Sequence, residues 1–127
     1  MAAYMPWNLD NDRPIYLQII ERISMDIVSG VYRAGDKLPS VRELAASAAV
    51  NPNTMQKALS ELERSGLVYT QRTSGRYITE DTGLIQEVRL KLAEEQIRSF
   101  LFKMEKLGYE SSEALSIARK ITEEETT

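Results

Sequence analysis

Residues 35–75, GDKLPSVRELAASAAVNPNTMQKALSELERSGLVYTQRTSG, hold two helical patterns divided by a single Asn-Pro step. Val41, Leu44, Ala45 and Ala48 fall three and four apart, one apolar stripe on a helix of about two turns. Asn51 then restarts the chain: Asn is a favoured N-cap, and Pro52 takes the first helical position, where a missing N–H costs nothing. Met55, Ala58, Leu59 and Leu62 make the inward face of this next helix. Asn53, Thr54, Gln56, Lys57 and Ser60 are left on other faces, concentrated in the first turns. A helix so arranged is suited to enter a DNA major groove by its N-terminal end, where amides, hydroxyls and cations reach base edges and phosphates.

The flanking segments complete a small body. Residues 1–13 read as a polar arm, with Trp7 and Leu9 able to pack back. From Pro14 to Ser29, Tyr16, Ile19, Ile20, Ile23 and Ile27 keep a helical period, and Gly30 is a natural stop. Gly35 to Leu38 should be extended ahead of Pro39, with Ser40 placed to cap the second helix. Gly66 ends the third helix. Leu67–Gln71 and Arg76–Thr79 then read as a hairpin about Thr73-Ser74-Gly75. Beyond Asp81 apolar residues recur at helical spacing as far as Leu107, and Gly108 breaks the run. A last helix should be capped by Ser111 or Ser112 and should fray at Glu123–Thr127. The expected fold class is therefore α+β and mainly helical. The expected division is an arm at 1–13, a reader at 14–80 and a two-helix segment at 81–127.

Several short motifs stand at consistent spacing: Pro14-Ile15-Tyr16-x-Gln18-Ile19, then Gly35-x-Lys37-Leu38-Pro39-Ser40-Val41-Arg42-x-Leu44-Ala45, then Val50-Asn51-x-x-Thr54, then Ala58-x-x-x-Leu62-x-x-x-Gly66-Leu67-Val68. Together they resemble the winged helix-turn-helix of GntR-type bacterial transcription regulators, over about residues 14 to 79. That family's wing usually carries Gly-x-Gly, whereas this chain reads Gln71-Arg72-Thr73-Ser74-Gly75-Arg76-Tyr77. The short-tailed, YtrA-like branch commonly lacks the first glycine, so the departure points to that subfamily. The resemblance implies a DNA-binding regulator, a repressor that would block polymerase from a pseudo-palindromic operator, and a homodimer.

It also nominates residues. Ser40 and Arg42 would meet phosphate or base at the groove edge, and Asn51, Asn53, Thr54, Gln56 and Lys57 surround the start of the reading helix. Asn53 and Gln56 suit bidentate contact with adenine. Arg72, Ser74, Gly75 and Arg76 define a wing directed at the minor groove, which attracts arginine where it is narrow. Two alternatives stay open. Arg42 could instead pair with Glu43 or Glu63, and Arg76 with Glu80 or Asp81. Tyr69 and Tyr77 should pack the hairpin. Leu84, Val88, Leu92, Ile97, Leu101, Met104, Ile117 and Ile121 make more apolar surface than a three-helix body can bury, which a second copy would cover.

Composition limits the rivals. Net charge is −3, but residues 13–79 carry nine Lys or Arg against six Asp or Glu, so the reader alone is basic. Cysteine and histidine are both absent, which removes disulfides, ordinary zinc sites and imidazole chemistry. No cofactor, metal or catalytic site is expected, and an enzyme is the least supported class. No membrane span or signal sequence is visible, so a cytoplasmic location is expected. A small-molecule effector of unknown identity, if one exists, would have only a cleft between reader and dimer helices. The remaining rival is a winged-helix protein-interaction module without direct DNA binding, which would usually lack cations such as Arg42 and Arg72.

Overall fold

The computed structural model of the chain describes residues 7–126. The first six residues of the expected arm, and Thr127 at the expected frayed end, lie outside the described residues. The described elements are α1 (Ile15–Val28), α2 (Val41–Ala48), α3 (Pro52–Ser65), β1 (Val68–Gln71), β2 (Gly75–Ile78), α4 (Thr82–Lys106) and α5 (Ser111–Glu125). This is the mainly helical α+β winged helix-turn-helix expected from the sequence. Two compact units divide it, Met1–Arg89 and Leu90–Thr127.

The first unit is built on the anticipated stripes. Ile19, Ile23 and Ile27 of α1, Leu44, Ala45 and Ala48 of α2, and Met55, Ala58, Leu59 and Leu62 of α3 are all buried. Leu38, Leu67, Val68, Ile78 and Ile85 close the same core. Each large side chain so buried contributes about 1.5–3 kcal/mol relative to exposure. Ser40 caps α2 in a reciprocal box, its Oγ accepting from Glu43 N–H (3.1 Å) while Glu43 Oε1 accepts from Ser40 N–H (3.3 Å). Between α2 and α3 the chain turns on Ala49, which is left-handed at φ +56° without being glycine.

β1 and β2 pair antiparallel, with Val68 opposite Ile78 and Gln71 opposite Gly75. A turn closed by Ser74 N–H to Gln71 C=O (3.2 Å) joins them, and Gly75 follows at φ +118°. One glycine at that point is all this turn requires, which accounts for the missing partner of the usual Gly-x-Gly. Gly35 is not extended as expected but turns at φ +83°; residues 36–38 are extended and add to the outer edge of β2. Ile78 N–H donates to Asp36 C=O (2.8 Å), Leu38 N–H to Arg76 C=O (2.9 Å), and Lys37 bridges Tyr77.

The arm is pinned to α1 by Gln18, which is 4% exposed. Its amide accepts from Asp10 N–H (2.6 Å) and donates to the carbonyls of Asp10 (2.8 Å) and Arg13 (3.0 Å). The Arg22 guanidinium lies 4.6 Å from the Trp7 ring centre, so Trp7 packs back as anticipated. Leu84 and Val88, counted by sequence among partner-facing residues, are half-buried on the reader's own core beside Ile85. The first two turns of α4 thus belong to the first unit.

In the second unit, Gly108 (φ +94°) ends the long helix as expected. The start of α5 differs from expectation: Glu110, not Ser111 or Ser112, is the N-cap, and Glu113 Oε1 accepts from its N–H (3.0 Å). That carboxylate satisfies the N–H of the cap residue, the half of a capping box that the N3 side chain supplies. α5 continues to Glu125. Ala114 is fully buried, while Leu90, Ile97, Leu107, Leu115 and Ile121 are exposed. Among the described residues no helix is long and apolar enough to cross a membrane.

Candidate nucleic-acid interface

α3 begins where its sequence dictates. Asn51 Oδ1 accepts from Asn53 N–H (2.8 Å), and Pro52 occupies the first helical position. At about 100° per residue, Asn53, Gln56, Lys57 and Ser60 share one arc, opposite the buried Met55, Ala58, Leu59 and Leu62. All four polar residues are exposed, and Thr54 is half-buried at the edge of the arc. The helix therefore presents one polar ridge, densest in its first two turns, of two amides, one ammonium and one hydroxyl, groups of the kinds that can pair with base edges and phosphates.

Arg42 stands exposed at the second position of α2. Neither ion pair considered for it forms: Glu43 is engaged in the capping box, and Glu63 turns to the wing. Among the described residues the side chains of Arg42 and Arg72 have no hydrogen bond or ion pair, and Arg72 lies in the exposed wing turn. Ser40, Ser74, Gly75 and Arg76 line one cleft between the α2 cap and the wing, together with Lys37. Asn51 and Thr54 line a second cleft, shared with Asn8 and Asn11 of the arm. Arg42, Asn53 and Arg72 stand on α2, α3 and the wing turn, and among the described residues no hydrogen bond or ion pair joins their side chains to another nominated side chain.

Two nominated cations are held by neighbours. Lys57 Nζ lies 3.8 Å from the centre of the Tyr16 ring, so an α1 residue read as apolar also steers a cation on the polar ridge. Arg76 does pair, but with neither Glu80 nor Asp81. Its Nε donates to Glu63 Oε1 (2.5 Å), and the Arg76 side chain is 19% exposed. Thr70 Oγ1 donates to the same oxygen (2.7 Å). These hydrogen bonds, Thr70 first, hold the Glu63 carboxyl below the usual glutamate range, against a smaller opposing effect of burial. Within the wing, Tyr69 and Tyr77 stack at 5.8 Å as expected, and Tyr77 Oη donates to Ser74 Oγ (3.0 Å).

Tyr16, Gln18, Lys37 and Glu63 were not nominated as site residues from the sequence, Glu63 being considered only as a partner for Arg42. A signal existed for two of them. Gln18 is a polar residue inside an apolar stripe, and Tyr16 carries a ring one turn ahead of Ile19 and Ile20. Lys37 and Glu63 gain their meaning only from segments distant in the chain. Among the described residues no group of carboxylates could hold a metal ion.

Comparison with known proteins places this geometry. The family model described as "Bacterial regulatory proteins, gntR family" matches residues 15–78. The chain is 42% identical over 113 residues to the uncharacterized HTH-type transcriptional regulator YhcF of Bacillus subtilis (strain 168), covering 89% of this chain and 93% of that protein. It is likewise 42% identical over 99 residues to the HTH-type transcriptional repressor YtrA of the same organism, covering 76% and 75% respectively. A solved GntR family transcriptional regulator from Listeria monocytogenes superposes with a TM-score of 0.81 at 42% identity, covering 88% of this chain and 98% of that one.

Proposed function

Since this chain belongs to the GntR family of DNA-binding transcriptional regulators, within its YtrA-like short branch, we propose that it is a cytoplasmic repressor that binds a pseudo-palindromic operator as a homodimer. The observation that carries the reading is the polar ridge of Asn53, Gln56, Lys57 and Ser60 opposite a fully buried face of α3. That ridge enters the major groove. Asn53 and Gln56 address base edges, and Thr54 and Lys57 address phosphates. Arg42 and Ser40 fix register at the groove edge. Arg72 reaches the flanking minor groove, with Ser74, Gly75 and Arg76 against the backbone.

In this reading residues 14–89, the first turns of α4 included, form the reader, and residues 90–127, not the whole of 81–127, form the dimerisation segment. Support for a partner copy comes from a heptad pattern in α4: Leu90, Ile97 and Met104 recur every seven residues, each followed three positions later by an apolar residue, Ala93, Phe100 and, just past the helix end, Leu107. Leu90, Ile97 and Leu107 are 63%, 55% and 72% exposed, which is costly apolar surface unless another chain covers it. Leu92, Leu101, Met104 and Ile117 are half-buried in the single chain, and Ile121 is exposed. Occupying the operator blocks polymerase, as befits a relative of a protein named a repressor.

Selection of bound sites from random duplexes at low ionic strength tests this reading. Enrichment of a two-fold symmetric site with half-sites about one helical turn apart is expected. Retention of no duplex, there or among genomic fragments of the host, would refute it.

A further inference from the structure

Glu63 sits in the last turns of α3 at the edge of its buried stripe, one turn beyond Leu59, and its side chain is 31% exposed. One of its carboxylate oxygens accepts from both strands of the wing, from Thr70 Oγ1 on β1 (2.7 Å) and from Arg76 Nε on β2 (2.5 Å). Thr70 and Arg76 are directly opposite one another across the hairpin, one rung before the turn-flanking pair Gln71 and Gly75. A two-stranded ribbon has little rigidity of its own. At its base Val68 and Ile78 are buried, and on its outer edge residues 36–38 hold β2. On the side of α3, the outer rung is held by this carboxylate.

We infer that Glu63 is a positioning residue that sets the angle between the reading helix and the wing, so that Arg72 meets the minor groove in register with α3 in the major groove. The inference rests on the DNA reading proposed above. It makes a prediction whose sign is opposite to that of simple electrostatics. A carboxylate beside phosphate-facing cations opposes DNA binding, and its removal also frees the Arg76 guanidinium. On charge alone Glu63→Ala and Glu63→Gln should bind more tightly, and equally so. A positioning role requires Glu63→Ala to bind more weakly. Glu63→Gln keeps an oxygen that accepts from Thr70 and Arg76, so it should recover most of the loss.

The test uses the full chain and a duplex selected by the wild type, with affinity and hydroxyl-radical footprints measured side by side. We expect Glu63→Ala to bind about tenfold more weakly, equivalent to about 1.4 kcal/mol. It should lose protection of the flanking minor groove, keep the central protection and retain its helical circular dichroism. Thr70→Val, which removes one donor and leaves the charge, should also lose flanking protection, and it carries the test if Glu63→Ala fails to fold. Wild-type protein that retains no duplex overturns the DNA reading and this inference together. Wild-type protein that binds, with Glu63→Ala or Thr70→Val equal to it in affinity and footprint, overturns this inference alone.

Discussion

Replacing Arg42 by Ala should change the salt dependence of operator binding without changing the fold. Arg42 is exposed at the second position of α2, its side chain has no hydrogen bond or ion pair among the described residues, and the Ser40–Glu43 capping box beside it needs nothing from that side chain. Alanine is at least as good a helix former, so stability should hold. On the proposed DNA reading three exposed cations per protomer, Arg42, Lys57 and Arg72, meet phosphate, while Arg76 is partly neutralised by Glu63. A dimer then makes about six contacts, for which log K falls with log salt at a slope of about −5.4, or roughly 2,000-fold between 50 and 200 mM. Removing two of the six gives a slope of about −3.6, or roughly 150-fold over the same range. Fluorescence anisotropy of a labelled operator at four or five salt concentrations measures both slopes. An unchanged slope in a folded Arg42→Ala dimer would show that this guanidinium meets no phosphate, and the reasoning from its exposure would fail.

Tyr16→Phe should bind operator like the wild type and Tyr16→Leu several-fold more weakly, because only the ring faces Lys57 Nζ; equal binding by all three in a titration would separate Tyr16 from Lys57. Ile97→Glu, at a 55% exposed position of the heptad seam, should yield a folded monomer by analytical ultracentrifugation, and a persisting dimer would place the interface elsewhere. Ala49→Gly should raise stability by about 0.5–1 kcal/mol in urea denaturation, since it relieves a left-handed alanine at φ +56°; an unmoved midpoint would mean that the turn stores no strain. The depressed Glu63 titration makes its stabilisation fully present above the unfolded value, near pH 4.3, and lost as pH falls from there through the folded value. Acidification through that window should therefore cost the wild type more stability than Glu63→Gln, and parallel pH curves would contradict the assignment.

How far the site could be foreseen depended on how local each signal is. The polar ridge of α3 is a matter of spacing within fourteen residues, and its start is set by Asn51 and Pro52 themselves. The nominated Ser40, Arg42, Asn53, Gln56 and Arg72 are all exposed, as the inward positions of their neighbours require. Arg76 was harder, because the carboxylates close to it in sequence, Glu80 and Asp81, are not the ones it meets. The winner, Glu63, is thirteen residues away on another element. The same limit applies to α4, whose single apolar pattern serves two purposes. Leu84 and Val88 lie on the reader's core, whereas Leu90, exposed on the heptad seam, was not among the nominated residues.

Caps, breakers and periodicity act between residues one to four apart, so the amino-acid order by itself determined the helices, the Asn-Pro restart and the hairpin, and with them the winged helix-turn-helix. Tertiary packing alone decided which side chains at distant positions meet. It added residues 36–38 to β2 across some forty residues of chain, laid Tyr16 beneath Lys57 and joined Glu63 to a rung of the wing. These contacts follow from how the core closes, since burial is indifferent to separation along the chain while pattern reading depends on it.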